Sequence, residues 1–404
     1  MSYLAFVLQE RRVLSFGLSF TFFSSFGQTF VISLFVPFFL EAFSLTNAGF
    51  GAIFSVATLI SAGTLPWLGR HIDRIPLQKY SFAVASGLLM AALVVMVSWH
   101  ISVLFLGILL LRLSGRGLSC HTAETTMARL YNGERGKALS VSSLGYPLGE
   151  GLIPLAVAGL LTIIDWRTTW GLIALCIILV WMPIIYFLVN RDRNGRFDEQ
   201  KKMDTVSAAH ENYSLIFHDQ RIWFLLPATV MSAFWVTGLF LYQVSIGGTL
   251  GWSPALIATA FTSFAIFRIM GAVAIGPLID RFSARHLFPF FLIPMIAGFT
   301  LPIFFSGTWI AFLYMSLIGL TMGFGTNIKS ALWAELFGTS MIGTVRSFFA
   351  SFSVFTSALS PFLVGWLLDI GLSFTYVLFM GAMVSALATL LSLRIHPAFD
   401  PADG

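Results

Sequence analysis

Gly69-Arg70-His71-Ile72-Asp73-Arg74 decides the fold, because its frame occurs twice. Gly276-Pro277-Leu278-Ile279-Asp280-Arg281 repeats the Gly-x-x-x-Asp-Arg pattern at an offset of 207 residues, and Pro154 and Pro361 share that offset. Gly117 and Gly323, Ala128 and Ala334, and Leu130 and Leu336 keep almost the same one. Matched landmarks over nearly the whole chain indicate two parallel halves of one ancestral unit. Such repeats, in an apolar chain, are a signature of transporters.

Working outward, each Gly-x-x-x-Asp-Arg turn closes a long apolar run. A bilayer-spanning helix needs about 20 such residues. Twelve segments meet that length, near 13–40, 48–69, 81–99, 101–129, 137–162 and 169–189 in the first half and near 221–246, 254–279, 285–306, 308–335, 340–368 and 372–393 in the second. The 404 residues are 57% hydrophobic and 10% charged, against about 25% charged in a soluble protein. Lipid must therefore be the solvent for much of the surface. Unbroken runs of this length do not alternate as barrel strands would. The expected fold is an all-α integral membrane protein of twelve spans in two six-helix bundles, residues 1–193 and 221–404, joined by a polar linker at 194–220.

Lys and Arg collect in cytoplasmic loops. Arg11, Arg12, Arg70, Arg74, Lys79, Arg129, Arg135, Lys137, Arg281, Arg285, Arg346, Arg394 and the linker cluster all fall on one side, and Arg167 stands alone opposite. Both termini are expected in the cytoplasm, in a bacterial inner membrane given the short loops. The first apolar run lacks a cleavage site and is expected to be span 1. The loop bias also accounts for a sequence pI near 9.4 without any nucleic-acid partner. Cys120 and Cys176 lie in apolar runs and are expected to pack as free thiols.

The repeated turn has a physical use. Gly69 and Gly276 would let helix ends approach closely. Asp73 and Asp280 would accept from helix N-terminal N–H groups or from a neighbouring Arg. With Arg74 and Arg281 they would form a clasp that holds one side of the bundle shut and releases it in another state; an ordinary polar turn is the plainer reading.

Gly69-Arg70-His71-Ile72-Asp73-Arg74 resembles the loop 2–3 signature of the major facilitator superfamily, with Ile75-Pro76-Leu77-Gln78 in place of the usual Gly and basic pair. Arg112-Leu113-Ser114-Gly115-Arg116-Gly117 is similar to that family's Arg motif on helix 4. Gly145-Tyr146-Pro147-Leu148-Gly149-Glu150-Gly151 is similar to its Gly/Pro motif on helix 5, and Asp165-Trp166-Arg167-Thr168-Thr169-Trp170 to its Trp-Arg turn before helix 6. The resemblance covers nearly the whole chain. It implies a central cavity between two bundles and alternating access by rocking.

Ionisable residues inside a membrane are costly and mark function by default. Arg112, Arg116, Glu150 and Arg268 fall mid-span, as does Gln28, while His121, Glu124 and Lys329 lie nearer the cytoplasmic side. Arg112, Arg116, Cys120 and Glu124 step by four and would share one helical face. Glu150 is the expected partner of Arg112, leaving Arg116 for the cavity. Arg268 and Lys329 have no acid at mid-depth, and Glu335 would serve Lys329 or a helix end. Monocarboxylate and oxalate carriers of the superfamily are similar in placing a lone Arg on helix 8, here Arg268.

The cationic excess favours a small organic anion. Arg116, Arg268, Arg112, Gln28, Lys329, Tyr242, Gln243 and Asn327 are the candidate substrate contacts. Glu150, Glu124 and His121 are the candidates for carrying a coupled proton, since a buried carboxyl can titrate in the working range. No nucleophile constellation, phosphate loop or metal-ligand spacing occurs in the sequence, so neither an enzyme nor a cofactor is expected. The expected protein is a monomeric secondary transporter of a carboxylate. Proton-driven export of drugs or amphiphiles is the alternative, and a membrane receptor or enzyme a remote one.

Overall fold

In hydrocarbon every backbone N–H and C=O needs a partner within the protein, so long apolar runs fold as helices. The computed structural model describes residues 3–131, 134–190, 219–338 and 342–395. Among these are eleven helices long and apolar enough to cross a membrane and one bent pair that makes a twelfth. In the first half they are α1 (Arg11–Gly27 and Thr29–Ala42), α2 (Asn47–Asp73), α3 (Leu77–Met96), α4 (Ile101–Leu130), α5 (Arg135–Leu161) and α6 (Trp166–Asn190). In the second half they are α7 (Gln220–Leu241), α8 (Pro254–Phe282), α9 (Ala284–Phe304), α10 (Thr308–Phe337), α11 (Thr344–Asp369) and α12 (Phe374–Ile395). Each expected span has its helix. Residues 194–218 of the expected linker, with its basic cluster, lie outside the described residues.

The chain forms two units, Met1–Leu45 with Ile53–Val206, and Thr46–Ala52 with Ser207–Gly404. The beginning of α2, expected in the first bundle, thus packs within the second unit. In the first unit α1 lies against α4, α5 and α6, and α3 against α4 and α6. In the second unit α7 lies against α10, α11 and α12, and α9 against α10 and α12. The pairings correspond one to one, as the sequence repeat requires.

The second unit has one contact without an equal in the first. Helices α8 and α10 run together along much of their length. Gly319 and Gly323 are the cause: an ideal Cβ on them would lie 2.4 Å from the Phe264 carbonyl oxygen and 2.3 Å from that of Arg268. Small residues four apart let backbones touch in a membrane. At Gly117, the counterpart of Gly323, the nearest such neighbour is a Leu65 methyl at 3.3 Å.

The repeated turn closes differently in each half. Asp73 forms an ion pair with Arg129 at the end of α4, both half-exposed. Gly69 packs under the His121 ring, 3.0 Å from an ideal Cβ. In the second half Asp280 is exposed, and the bridging carboxylate is instead Glu335 at the end of α10. Glu335 accepts from the backbone N–H groups of Ala284 (2.8 Å) and Arg285 (2.9 Å) at the start of α9. Gly276 has open space around it, so the close approach expected there is not made. Arg281 lies over the Phe282 ring. Both halves therefore tie helix 4 or 10 to the preceding turn, with the acid on opposite partners.

Asp165 caps α6, accepting from the Thr168 hydroxyl (2.5 Å) and from the N–H groups of Arg167 and Thr168. The Thr168 side chain and amide, and then the Arg167 N–H, hold its carboxyl below the usual range.

Candidate substrate site

The site in the first unit begins with a broken helix. The first part of α1 ends in a tight turn at Ser24–Gly27, Gln28 is extended (φ −88°, ψ 155°), and the helix resumes at Thr29 with a bend of 41°. Opposite, α4 is a π-helix over Leu111–Ser119. Such wide turns are uncommon and concentrate at functional sites. The two irregularities fit each other. An ideal Cβ on Gly27 would lie 2.2 Å from the Leu111 carbonyl oxygen and 2.7 Å from the Arg116 nitrogen, and one on Gly115 would lie 2.7 Å from the Gly27 Cα. Neither position tolerates a side chain, so the backbone of α1 at Gly27 and that of α4 at Gly115 and Arg116 lie against each other.

Arg112 serves this junction. It is buried; Nη1 donates to the Gly27 carbonyl (3.0 Å), Nε donates to the Thr58 hydroxyl (3.1 Å), and the guanidinium stacks 4.8 Å from the Phe54 ring centre. The expected pairing with Glu150 is not made: a broken helix leaves carbonyls without partners, and Arg112 answers one of them. Its expected role as a substrate contact gives way to bracing.

Arg116 differs. It is exposed, halfway along α4, and among the described residues no carboxylate forms an ion pair with it. Its electrostatic neighbours are Cys120, Tyr146 and Glu124. Glu124 is also exposed, and its Oε1 accepts from the Tyr146 hydroxyl at 3.0 Å. Gln28 is half-buried, with a side chain that has no hydrogen-bond partner among the described residues. Arg116, Tyr146 and Glu124 thus form one polar lane. Tyr146 is the member that sequence reasoning missed, although it stands in the helix 5 Gly/Pro motif.

The other candidates take varied places. The His121 ring donates through Nε2 to the Gly69 carbonyl (3.3 Å) and contacts the Thr125 hydroxyl through Nδ1 (3.4 Å). Glu150 is buried on α5. In the second unit Arg268 is half-buried, its backbone pressed against Gly319 and Gly323. Asn327 donates to the Ala272 carbonyl (2.7 Å), bracing α10 to α8. Lys329 is half-buried, 5.6 Å from the Phe291 ring centre, and among the described residues no carboxylate pairs with it.

Tyr242 and Gln243, expected at the substrate, are fully buried. The Tyr242 hydroxyl lies 2.7 Å from the Asn47 carbonyl oxygen and 2.9 Å from that of Pro361 and shares its one proton between them. An ideal Cβ on Gly51 would lie 2.6 Å from that hydroxyl, and one on Gly365 2.5 Å from it. Asp369 completes this hub, accepting from the N–H groups of Asn47 (3.1 Å) and Ala48 (2.7 Å). Gln243 Oε1 accepts from the Tyr314 hydroxyl at 3.3 Å. Both residues pack the second unit instead of lining an open surface.

Twelve apolar spans in two matching halves, the first of them broken at mid-length, define a multi-pass membrane transporter, not an enzyme. The chain matches the family model of the Major Facilitator Superfamily over residues 18–248 and 228–403, and it belongs to that superfamily. Among solved structures it is similar to the nucleoside transporter NupG, with a TM-score of 0.74 and 12% identity, covering 95% of this chain and 99% of that one. It is also similar to a bacterial homologue of the human lysosomal transporter Spinster in an inward-facing, occupied conformation. There the TM-score is 0.66 at 15% identity, covering 99% of this chain and 96% of that one. At these identities the likeness shows the fold alone. No curated protein sequence matches the chain.

Proposed function

We propose that the chain is a secondary carrier of small organic anions, carboxylates foremost, working by alternating access as a monomer. The loop charges favour cytoplasmic termini, and the short loops favour a bacterial inner membrane. The observation that carries the reading is Arg116. A guanidinium exposed halfway along a spanning helix, with no ion-paired carboxylate among the described residues, is tolerable where water and a counter-ion can reach it, and a carboxylate is the natural counter-ion. Arg268 and Lys329 are further cations within the spans of the second unit. Glu124 and Glu150 are the groups on which a coupled proton could ride.

The test is uptake of a panel of radiolabelled acids into proteoliposomes. Arg116→Ala is expected to lower uptake of the transported acid at least tenfold, the worth of about one charge-assisted hydrogen bond, and Arg268→Ala to lower it too. Wild-type protein that carries none of the acids, or an Arg116→Ala variant that carries them as before, ends the reading. For the proton, an inward pH gradient should stimulate uptake, and Glu124→Gln should remove the stimulation.

A further inference from the structure

Arg116 and Glu124 are eight residues apart on α4, and both side chains are exposed. Tyr146 comes across from α5 and interacts with both. An ionised carboxylate only accepts hydrogen bonds and has room for about four; Tyr146 supplies one, to Oε1. The lane therefore offers an anion seat at one end and a charged acceptor at the other.

We infer that the passenger is a bifunctional acid: its carboxylate sits on Arg116, and a hydroxyl or ammonium group of the same molecule donates to Glu124. The inference rests on the anion reading above and narrows it. A plain alkanoate would lay an apolar tail along Glu124 and strip water from a charged acceptor without replacing it, which is costly. A hydroxy acid, sugar acid or amino acid restores that bond. Sites built to bond a donor reject analogues lacking one far more strongly than apolar pockets reject an extra group. Glu124 is thus a specificity-determining residue and Tyr146 its positioning residue.

The test is thermal stabilisation of the purified full chain by matched ligands: butyrate, 4-hydroxybutyrate and 4-aminobutyrate as one set, and hexanoate, gluconate and sorbitol as another. The donor-bearing acids should half-saturate at concentrations about tenfold below the plain acids. Within the first set, whichever of the hydroxyl and amino acids binds more tightly identifies the donor. In Glu124→Gln, once its own unfolding and gel-filtration profiles show a folded protein, the ratio should fall to within about twofold of unity; Tyr146→Phe should reduce it in part and serves as the variant if Glu124→Gln does not fold. Equal binding of plain and donor-bearing acids, both lost in Arg116→Ala, overturns this inference and leaves the anion reading standing. A ratio that survives Glu124→Gln overturns it as well. Sorbitol binding as tightly as gluconate overturns both.

Discussion

The guanidinium of Arg112 is fastened to the carbonyl of Gly27, 3.0 Å away, across the point where α1 breaks. Removing the side chain leaves a buried carbonyl and the Thr58 hydroxyl without it. Charged hydrogen bonds contribute about 1.5–3 kcal/mol each, and an orphaned buried acceptor costs about 1–3 kcal/mol. Arg112→Met, close in bulk and without charge, should therefore lower the thermal unfolding temperature of the purified protein clearly. Arg112→Lys should recover only part, since one ammonium cannot match the fork that reaches both Gly27 and Thr58. Unfolding followed by fluorescence in detergent checks this, and an Arg112→Met protein as stable as wild type would count against the bracing role.

The glycines at the same crossing give a sharper contrast. Gly27→Ala would push a methyl to 2.2 Å from the Leu111 carbonyl oxygen. Both neighbours are backbone, so the helices must separate; overpacking of this kind costs about 1–3 kcal/mol or more. Gly276→Ala meets nothing within 4 Å and exchanges a helix-interior glycine for a better helix former, worth up to about 1 kcal/mol. Expression and monodispersity by gel filtration should collapse for Gly27→Ala and stay level or improve for Gly276→Ala.

That contrast shows what the sequence could and could not disclose. The spans and the repeat were legible because lipid imposes length and apolarity directly on the residues. Arg116 stood out for the same reason, as a charge where none is cheap. The pairing of Arg112 was not. It depends on a backbone carbonyl released by the break at Gln28, and nothing in the side chains announces which carbonyl will be free. Stepping four residues from Arg112 to Glu124 also assumed a continuous α-helix. The π-helix over Leu111–Ser119 fits more residues into each turn and rotates the rest of α4 beyond it, so Arg112 is buried while Arg116 and Glu124 are exposed. Tyr242 was a candidate because its helix resembles a cavity-lining one; its neighbours Gly51 and Gly365, which let backbone close around the hydroxyl, lie far away in sequence. Gly319 and Gly323, four residues apart, explain the contact of α8 with α10, a spacing that the sequence reading passed over.

That hub around Tyr242 yields its own expectation. Asp369 caps the start of α2 through two backbone N–H groups, and loss of such a cap costs about 0.5–2 kcal/mol. Tyr242→Phe removes one shared hydrogen bond, about 1 kcal/mol. Asp369→Ala should thus destabilise at least as much as Tyr242→Phe, and the double variant less than their sum if the two act on the same segment through Asn47. A double-mutant cycle on unfolding temperatures measures the coupling; strict additivity would show that the cap and the hydroxyl hold Asn47 independently.

The clasp asks for a different measurement, because its worth to stability is small. The Asp73–Arg129 pair is half-exposed, and exposed ion pairs contribute about 0–1 kcal/mol. Asp73→Asn should leave the unfolding temperature nearly unchanged. If the pair holds one transport state, the same change should alter the balance of states, since a shift of about 1.4 kcal/mol moves a two-state equilibrium tenfold. The matching device in the second half is not Asp280 but Glu335, which caps α9. Glu335→Gln should therefore reproduce the effect of Asp73→Asn, and Asp280→Asn should not. Reactivity of a single cysteine introduced at Gln28, in a background lacking Cys120 and Cys176, reports on the balance directly. Equal labelling rates in wild type, Asp73→Asn and Glu335→Gln would reduce both contacts to ordinary turns, and an effect of Asp280→Asn as large as that of Glu335→Gln would restore the symmetric clasp that the repeated motif suggests.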